Sequence, residues 1–214
     1  MRTETTLLIA TSNRGKLREV QAVLASTPMR LLTLADFPGI PEPIEDGATF
    51  EENARKKALH YAGLTKCLAL ADDSGLEVDA LGGAPGVYSA RYAGVRGDDA
   101  ANNTRLIAAL SCVPAERRTA RFRCVVALAI PGKVLAVASG AIEGLIVDDP
   151  RGHNGFGYDP HFFIPEFGMT AAQMPPEQKN RISHRGRALA AMRCVIERMA
   201  ESTARLHDSG NSID

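Results

Sequence analysis

The stretch TTLLIATSNRGKLREVQAVL, residues 5–24, changes its hydrophobic pattern half-way along, and this change decides the fold class. Residues 5–10 are a short aliphatic and β-branched run, which predicts a buried strand. After the polar TSNRGK segment, Leu17, Val20 and Leu24 recur at helical spacing. Strand, loop and helix in this order are typical of the opening of an α/β protein.

The alternation of strand and helix continues after this opening. A second strand is predicted over residues 29–34, and a proline-rich loop follows over 35–47. Thr49 begins the next helix, because Glu52 completes a T-x-x-E capping box with it. Gly63 is placed to end that helix. This part of the chain is therefore predicted to be a second strand followed by a loop and a helix.

The next apolar run, CLALA at residues 67–71, predicts a buried strand that ends at Asp72 and Asp73. The segment LEVDAL just after them predicts a further short strand. Residues 82–94 are rich in glycine and are expected to form a loop.

In the second half of the chain, the alternation of strands and helices gives way to a meander of antiparallel strands. Asp98 or Asp99 caps a helix that reaches Leu110. The alternating segment 119–130 predicts a strand, and VLAVASG and AIEGLIV return as two antiparallel strands after a tight turn. Ser183 begins the last helix. The whole pattern predicts an α/β protein with a mixed, twisted sheet flanked by helices.

The bulk composition is that of an ordinary globular protein, with 214 residues, 45% hydrophobic and 23% charged. We expect one domain with two lobes over residues 1–206 and a flexible tail over 207–214. The net charge of zero argues against a nucleic-acid groove as the main surface. The four cysteines are far apart, which fits neither a zinc ribbon nor a redox pair. No apolar run suits a signal peptide or a membrane span, so we expect a cytoplasmic protein with no membrane partner.

The TSNRGK loop stands where a strand meets the start of a helix. Such a junction offers free backbone N–H groups and the positive end of the helix to an anion. Asn13 adds an amide and Lys16 a full charge. The spacing is not that of a Walker A motif, because Leu17 follows the Gly-Lys pair. A plain helix cap with a solvated lysine explains the same residues.

Two pairs of neighbouring acids mark a second candidate site. Asp72 and Asp73 follow a buried strand, at the sheet edge where ligands collect in open α/β folds. Adjacent carboxylates repel each other unless a cation such as Mg²⁺ neutralises them. Glu45 and Asp46 lie on the proline-rich loop and are either further ligands or plain turn residues. Two more acids stand in the first turn of the second helix, where the helix dipole favours them in any case; these are Glu51 and Glu52.

The segment GHNGFGYDPHFF, residues 152–163, places four aromatic residues beside three glycines. Glycine lets a backbone approach a ligand closely, and Phe156 or Tyr158 could stack on a base, which is worth about 1–3 kcal/mol. Downstream, donors and charge come from Lys179, His184 and Arg185. The structural alternative is that Phe162 and Phe163 belong to the core and that Lys179 and Arg187 are solvated.

Five segments together resemble one known family. They are TSNRGK, EDGATFEENARKKA, ADDSGLEVDALGGAPGVYSARYAG, GFGYDPHFF and ISHRGRAL, in this order. In this order they are similar to the motifs of the noncanonical purine NTP pyrophosphatases, which hydrolyse ITP, dITP and XTP to the monophosphate and pyrophosphate. The resemblance runs from about residue 7 to about residue 200.

The resemblance implies an elongated α/β domain with a central cleft between two lobes, a homodimer and a Mg²⁺-dependent reaction. It assigns Mg²⁺ to Glu45 and Asp73, with Asp73 also the proton acceptor. The triphosphate cradle that it implies consists of Thr11, Ser12, Asn13, Arg14, Gly15 and Lys16. Many members of the family have glycine where this chain has Ser12, so a hydroxyl here replaces bare backbone.

The resemblance also implies the residues that hold the nucleoside. Ser74 contacts the substrate. The base and sugar contact Phe156, Gly157, Tyr158 and Asp159. Lys179, His184 and Arg185 close around the base. Donors in this last group favour the 6-oxo acceptor of inosine and xanthosine over the 6-amino group of adenine.

Two other functions fit the same residues. One is a pyrophosphatase for modified pyrimidine or methylated nucleotides on a similar fold. The other is a nucleotide-binding protein without hydrolytic activity, or an RNA-binding protein. The adjacent acids speak against a simple binder, because acids beside phosphates weaken binding unless a metal ion bridges them.

Overall fold

The computed structural model describes residues 6–209, with side chains described as far as residue 199. Within this range seven strands form one sheet in the order β2-β1-β3-β4-β5-β6-β7. The strands are β1 (Thr6–Ile9), β2 (Arg30–Thr33), β3 (Leu68–Val78), β4 (Thr119–Ile130), β5 (Lys133–Ile146), β6 (Phe162–Ile164) and β7 (Met169–Thr170). The helices are α1 (Arg14–Leu24), α2 (Phe50–Thr65), α3 (Asp99–Ala109), α4 (Pro176–Ile182) and α5 (His184–Ser209).

The sheet is mixed, as the sequence predicts. β1 pairs in parallel with both β2 and β3, while β3 to β7 follow one another as antiparallel neighbours. Parallel neighbours need a crossover connection, and α1 and α2 supply these crossovers. The first third of the chain is therefore α/β in character and the middle is a meander.

One end of the sheet has a core on each face. On one face, Leu7 and Ile9 pack with side chains of α1 and α5. On the other face, Leu8 and Ala10 pack with α2. The two sets alternate along β1 because successive strand residues point to opposite faces. This end forms the first lobe.

The second lobe is built on the far ends of the long strands. Leu76 of β3 and Phe122 of β4 pack there with Leu106 of α3 and with Phe162 of β6. Since β3, β4 and β5 run through both lobes, the lobes share one sheet. Phe162 is fully buried, which confirms its predicted place in the core.

β3 is a single strand where the sequence predicts two. The prediction that it ends at Asp72 is wrong, because an antiparallel ladder with β4 pairs every residue from Ala69 to Val78. The parallel ladder with β1 does end earlier, at Ile9 and Leu70. The two aspartates therefore lie inside a strand but just beyond its parallel neighbour, which ends in the TSNRGK loop.

Three other boundaries differ from the sequence predictions. β5 is one continuous strand rather than two. Helix α2 passes through Gly63 and ends at Thr65, where Lys66 takes a left-handed φ of 60° and donates its N–H to the Ala62 carbonyl. Residues 86–91 form a 3-10 helix within the segment expected to be a loop. Helix α4 and the short strands β6 and β7 are not predicted by the sequence pattern.

The C-terminal tail falls only partly within the described residues. Helix α5 continues to Ser209, so the first part of the predicted tail 207–214 is helical. Residues 210–214 lie outside the described residues. Across the described helices, none is both long enough and apolar enough to cross a membrane.

Candidate active site

A cleft of about 260 Å³ lies between the two lobes. Its wall is formed by the loop after β1, the proline-rich loop with Glu45, the residues of α2 around Lys57, the middle of β3, the segment around Arg91 and Arg96, the Phe156 loop (residues 156–159) and the junction of α4 with α5. These segments are far apart in sequence and include each of the motifs singled out above.

The loop after β1 forms one side of the cleft. Asn13 caps α1, since its Oδ1 accepts from the Lys16 N–H at 3.0 Å. Four of the six predicted cradle residues line the wall: Thr11, Ser12, Asn13 and Lys16. Arg14 is exposed on α1 and is not part of this wall. The capped helix start therefore faces the cleft with a hydroxyl-rich loop and one ammonium group.

Asp72 is a buried anchor for two cations of the cleft. Lys16 Nζ lies 3.0 Å from its Oδ2, and Arg185 Nε donates to the same oxygen at 3.3 Å. Burial alone would raise the pKa of Asp72, but Lys16 and Arg185 outweigh burial and hold this pKa far below the usual range. Asp72 therefore stays ionised and fixes the position of both cations.

Asp73 faces a different cation on the opposite side of β3. Lys57 Nζ, from α2, lies 3.0 Å from Asp73 Oδ1 and 3.2 Å from Glu45 Oε2. Asn53 Nδ2, one turn earlier on α2, donates to Asp73 Oδ2 at 3.1 Å. Burial would lower the pKa of the Lys57 ammonium, but the carboxylates around it, Asp73 foremost, outweigh burial and raise it. One lysine thus joins the two acids that the sequence proposes as metal ligands.

Glu45 also pairs with a cation from the second lobe. Arg96 Nη2 donates to its Oε1 at 2.9 Å, and Arg91 Nη2 donates to its carbonyl at 3.3 Å. Burial would raise the pKa of Glu45, but Lys57 and then Arg96 outweigh burial and lower it. Glu45 therefore stands ionised at the point where the two lobes meet.

The other acids considered in the sequence analysis have structural roles. Asp46 pairs with exposed Lys56, and Glu51 pairs with Arg55 one turn along the surface of α2. Glu52 Oε2 accepts from the Ala48 N–H at 2.8 Å, and its own N–H donates to Thr49 Oγ1 at 3.1 Å. These contacts agree with the plain interpretation of Glu51 and Glu52, and they place Asp46 in a surface ion pair.

The Phe156 ring forms a platform beside the β1 loop. It lies so close to Gly15 that a Cβ there would be 2.5 Å from ring atom Cδ1. Lys179 Nζ is 5.2 Å and Arg185 Cζ is 5.7 Å from the ring centroid, within the range of cation–π contacts. Gly15 therefore contributes by permitting close approach of an aromatic ring.

Tyr158 and Asp159 hold the loop that carries the Phe156 ring. The Tyr158 hydroxyl donates to the Ser89 carbonyl at 2.8 Å, and its ring belongs to the core of the second lobe. Asp159 Oδ2 accepts from the Phe156 N–H at 2.8 Å and from Lys179 Nζ at 2.5 Å. The geometry thus favours Phe156 over Tyr158 as the stacking residue.

Lys179 and Arg185 are held together by one acid of α1. Both cations pair with Glu19, Lys179 Nζ at 3.1 Å and Arg185 through Nη1. Lys179 is buried, so the alternative that it is solvated is wrong. Arg185 is 1% exposed and also donates from Nη2 to Ser74 Oγ at 2.7 Å. Ser74 is therefore held by the arginine that the sequence assigns to the base.

His184 is buried beside these cations with its ring stacked on Phe122, 4.8 Å between centroids and 16° between planes. Burial, together with the charges of Arg185 and Lys179, lowers its pKa well below the usual range. Within residues 6–199, where side chains are described, its Nδ1 has no hydrogen-bond partner. A neutral imidazole therefore lines the cleft, while its Nδ1 is buried and unpaired.

Sequence reasoning missed several polar residues of the site, among them Asn53, Lys57 and Glu19. The first two carry a readable signal, because they fall on the buried face of α2 among Phe50, Ala54 and Ala58. Charged and amide groups on an apolar helical face need a buried partner. Glu19 carries no such signal.

The fold and the cleft define an open-sheet α/β protein whose two lobes enclose a densely charged ligand site. The model of the Ham1 family matches residues 7–195, and the chain belongs to this family. A dITP/XTP pyrophosphatase of Geobacter sulfurreducens is 57% identical over 189 residues, 88% of this chain and 95% of the relative.

Two solved structures share the fold. A HAM1 protein from Coxiella burnetii superposes with a TM-score of 0.81 at 42% identity, covering 90% of this chain and 98% of that one. A nucleoside-triphosphatase / dITP/XTP pyrophosphatase from Mycobacterium abscessus gives a TM-score of 0.70 at 46% identity, covering 88% and 97%. These comparisons confirm the family resemblance and the fold class drawn from the sequence.

Proposed function

We propose that this protein hydrolyses noncanonical purine nucleoside triphosphates, namely ITP, dITP and XTP, to the monophosphate and pyrophosphate, and so removes them from the nucleotide pool. The relative from Geobacter sulfurreducens is named for this activity. The observation that carries the proposal is the pair of acids Glu45 and Asp73, joined by Lys57 and facing the same cleft as Lys16.

We propose that the triphosphate lies along the loop after β1. The free N–H groups and positive dipole at the start of α1 suit an anion, and Lys16 adds a charge held in place by Asp72. The base then lies toward the Phe156 ring, with Lys179, His184 and Arg185 around it. This orientation directs the α-phosphate toward Asp73.

The donor set fits a Mg²⁺ ion held by Glu45 and Asp73. Both carboxylates contact the same ammonium nitrogen of Lys57, which already marks a point between them that favours positive charge. Across the described residues no group of three or more His, Cys, Asp or Glu forms a metal cage. Mg²⁺ commonly binds through one or two carboxylates plus substrate phosphates, so two suffice. When bound, the ion would neutralise phosphate charge as a Lewis acid.

We propose that Asp73 accepts the proton of the attacking water. A carboxylate offers about four lone-pair directions, and Asn53 and Lys57 use one on each oxygen. The remaining directions can orient a water for in-line attack on the α-phosphorus. The departing pyrophosphate is then stabilised by Lys16 and by the N–H groups of the β1 loop, whose positions are set before the reaction begins.

We propose that base selection depends on His184 together with Lys179 and Arg185, which lie side by side in the cleft wall. Arg185 and Lys179 already donate to Glu19 and other acids, whereas His184 Nδ1 has no partner among described side chains. The 6-oxo group of a purine can accept a hydrogen bond from this cationic pocket. The 6-amino group of adenine is a donor and cannot accept one. A site that forms a hydrogen bond with a substrate group can discriminate by about 10⁴-fold against an analogue that leaves the protein group without its hydrogen bond.

The remaining proposals concern the oligomeric state, the domain organisation and the cellular location. We propose that the chain acts as a homodimer and that residues 1–206 form one domain with two lobes. Tyr88 and Val95, on and beside the 82–94 segment, are 60% and 65% exposed, and exposed apolar residues of this kind suit a protein contact. We expect the protein to act in the cytoplasm and to need no nucleic-acid or membrane partner.

A substrate panel tests the function. Pyrophosphate release is measured with Mg²⁺ for ITP, dITP and XTP beside ATP, GTP, dTTP, UTP and modified pyrimidine triphosphates. We expect the first three to exceed the others by at least about 100-fold in kcat/KM. Preference for a modified pyrimidine, or ITP binding without pyrophosphate release, would contradict the proposal and favour one of the alternatives.

A further inference from the structure

Helix α3 holds the backbone N–H and the backbone carbonyl of Gly157, which follows Phe156 in its loop. Asp99 Oδ2 accepts from the Gly157 N–H at 2.7 Å. Asn103 Nδ2, one turn along the helix, donates to the Gly157 carbonyl at 2.9 Å. The residues are more than fifty positions apart in sequence, so α3 fixes the loop by a tertiary contact.

The orientation of the Asn103 amide follows from this contact. Its NH₂ group donates to the Asp99 carbonyl as well as to Gly157, both at 2.9 Å. Its Oδ1 is buried and has no partner within the described part of the chain. A buried acceptor without a partner is unfavourable, so the two carbonyls served by the NH₂ group determine how the amide lies.

Gly157 itself depends on these hydrogen bonds. It has a φ of +63°, and a Cβ at this position would meet no atom within 4 Å. The space that a Cβ would occupy is therefore open, and the two hydrogen bonds to α3 are the polar contacts that hold this residue. Its neighbour Phe156 carries the ring that lies against Gly15 and beneath Lys179. Movement of Gly157 would displace that ring from the cleft.

We infer that Asp99 and Asn103 are positioning residues for the nucleoside, which act by holding Gly157 and thereby the Phe156 ring. This inference rests on the proposed function, because it assigns the ring to the base. Asp99 lines the cleft, but Asn103 does not, so an effect of Asn103 on substrate must pass through the loop. The phosphate half of the cleft is built on α1 and β3 and meets this loop where the Phe156 ring lies against Gly15.

Separate measurements of nucleoside and phosphate binding test the inference. The variants Asn103→Ala and Asp99→Ala should each raise KM for ITP by about three- to tenfold, the range expected for one hydrogen bond, with kcat nearly unchanged. The inhibition constant of inorganic tripolyphosphate should stay at the wild-type value. Asp99→Asn keeps an acceptor for the Gly157 N–H and should restore KM.

Thr104→Ala is the matched control. Thr104 follows Asn103 on the exposed side of α3, and its hydroxyl donates to the Ala100 carbonyl of the same helix at 2.9 Å. This variant should leave KM unchanged. A merely structural role of α3 predicts instead that KM and the tripolyphosphate constant rise together, along with a lower melting temperature, and that result would overturn the inference.

The outcomes of these experiments also distinguish a failure of this inference from a failure of the proposed function. An active enzyme whose Asp99→Ala/Asn103→Ala variant keeps the wild-type KM refutes the positioning role alone. A wild-type chain that releases no pyrophosphate from ITP refutes the proposed function.

Discussion

Lys57 Nζ of α2 lies 3.0 Å from Asp73 Oδ1 of β3, and both side chains are nearly excluded from solvent. The same nitrogen contacts Glu45 at 3.2 Å. One buried cation therefore holds the two acids close together at the cleft. Without it, Asp73 would lose its ion pair and retain the Asn53 amide, and an ion pair lost by a buried carboxylate is strongly unfavourable.

The first prediction concerns this lysine. Lys57→Ala should lower kcat for pyrophosphate release from ITP by about 10²-fold or more, because it removes the cation that joins Glu45 and Asp73 and orients Asp73. Lys56→Ala is the matched control, since Lys56 is the next residue, is exposed and pairs only with exposed Asp46. Equal rates for the two variants would show that Lys57 has no part in the reaction.

The second prediction concerns the pH dependence of stability. The pKa of His184 is lowered in the folded state, chiefly by burial, so the unfolded chain takes up a proton there first as pH falls. The contribution to stability is complete above the unfolded value of about 6.5 and is lost as pH falls toward the folded value. The free energy of unfolding should therefore decrease between pH 6.5 and 5 by up to about 1.4 kcal/mol per pH unit from this residue.

Urea unfolding of a histidine variant measures this loss. His184→Asn should have a shallower pH slope than the wild type in this range. His153→Asn, at an exposed position, should keep the wild-type slope. Identical slopes for all three proteins would mean that the pKa of His184 is the same in the folded and unfolded states.

The third prediction concerns the contact between the two halves of the cleft. Gly15→Ala would place a methyl group 2.5 Å from the Phe156 ring, so the ring must move away. We expect KM for ITP to rise about tenfold, since base stacking is worth about 1–3 kcal/mol.

Gly63→Ala is the control for this substitution. Gly63 lies on α2 with nothing within 4 Å of an added Cβ, so the alanine should stabilise the helix by up to about 1 kcal/mol and leave KM unchanged. An unchanged KM in Gly15→Ala as well would show that the position of the Phe156 ring does not affect substrate binding.

Much of the fold and of the cleft could be predicted from local patterns. The strand and helix around TSNRGK, the cap at Thr49 and the buried alternation of β4 all follow from hydrophobic period and capping residues. The error at Asp72 has a physical cause. Asp, Ser and Gly disfavour strands, but the ladder with β4 and the pairing of Asp72 with Lys16 override that preference.

What could not be predicted are the contacts between distant elements. A helical face shows that Lys57 is buried, but not that it meets Asp73 of β3 and Glu45 of a loop. Likewise, nothing local links Asn103 to Gly157. These pairings depend on how helices cross the sheet, which single-sequence periodicity does not contain.

We propose that Asp73 activates water for attack on the α-phosphate of an inosine-type triphosphate. The most direct test is pyrophosphate release from ITP in the presence of Mg²⁺ by wild type and Asp73→Asn. Loss of a general base should lower kcat by about 10²- to 10⁴-fold, while the melting temperature shows that the variant is folded. A folded Asp73→Asn variant that turns over ITP at nearly the wild-type rate would contradict the account.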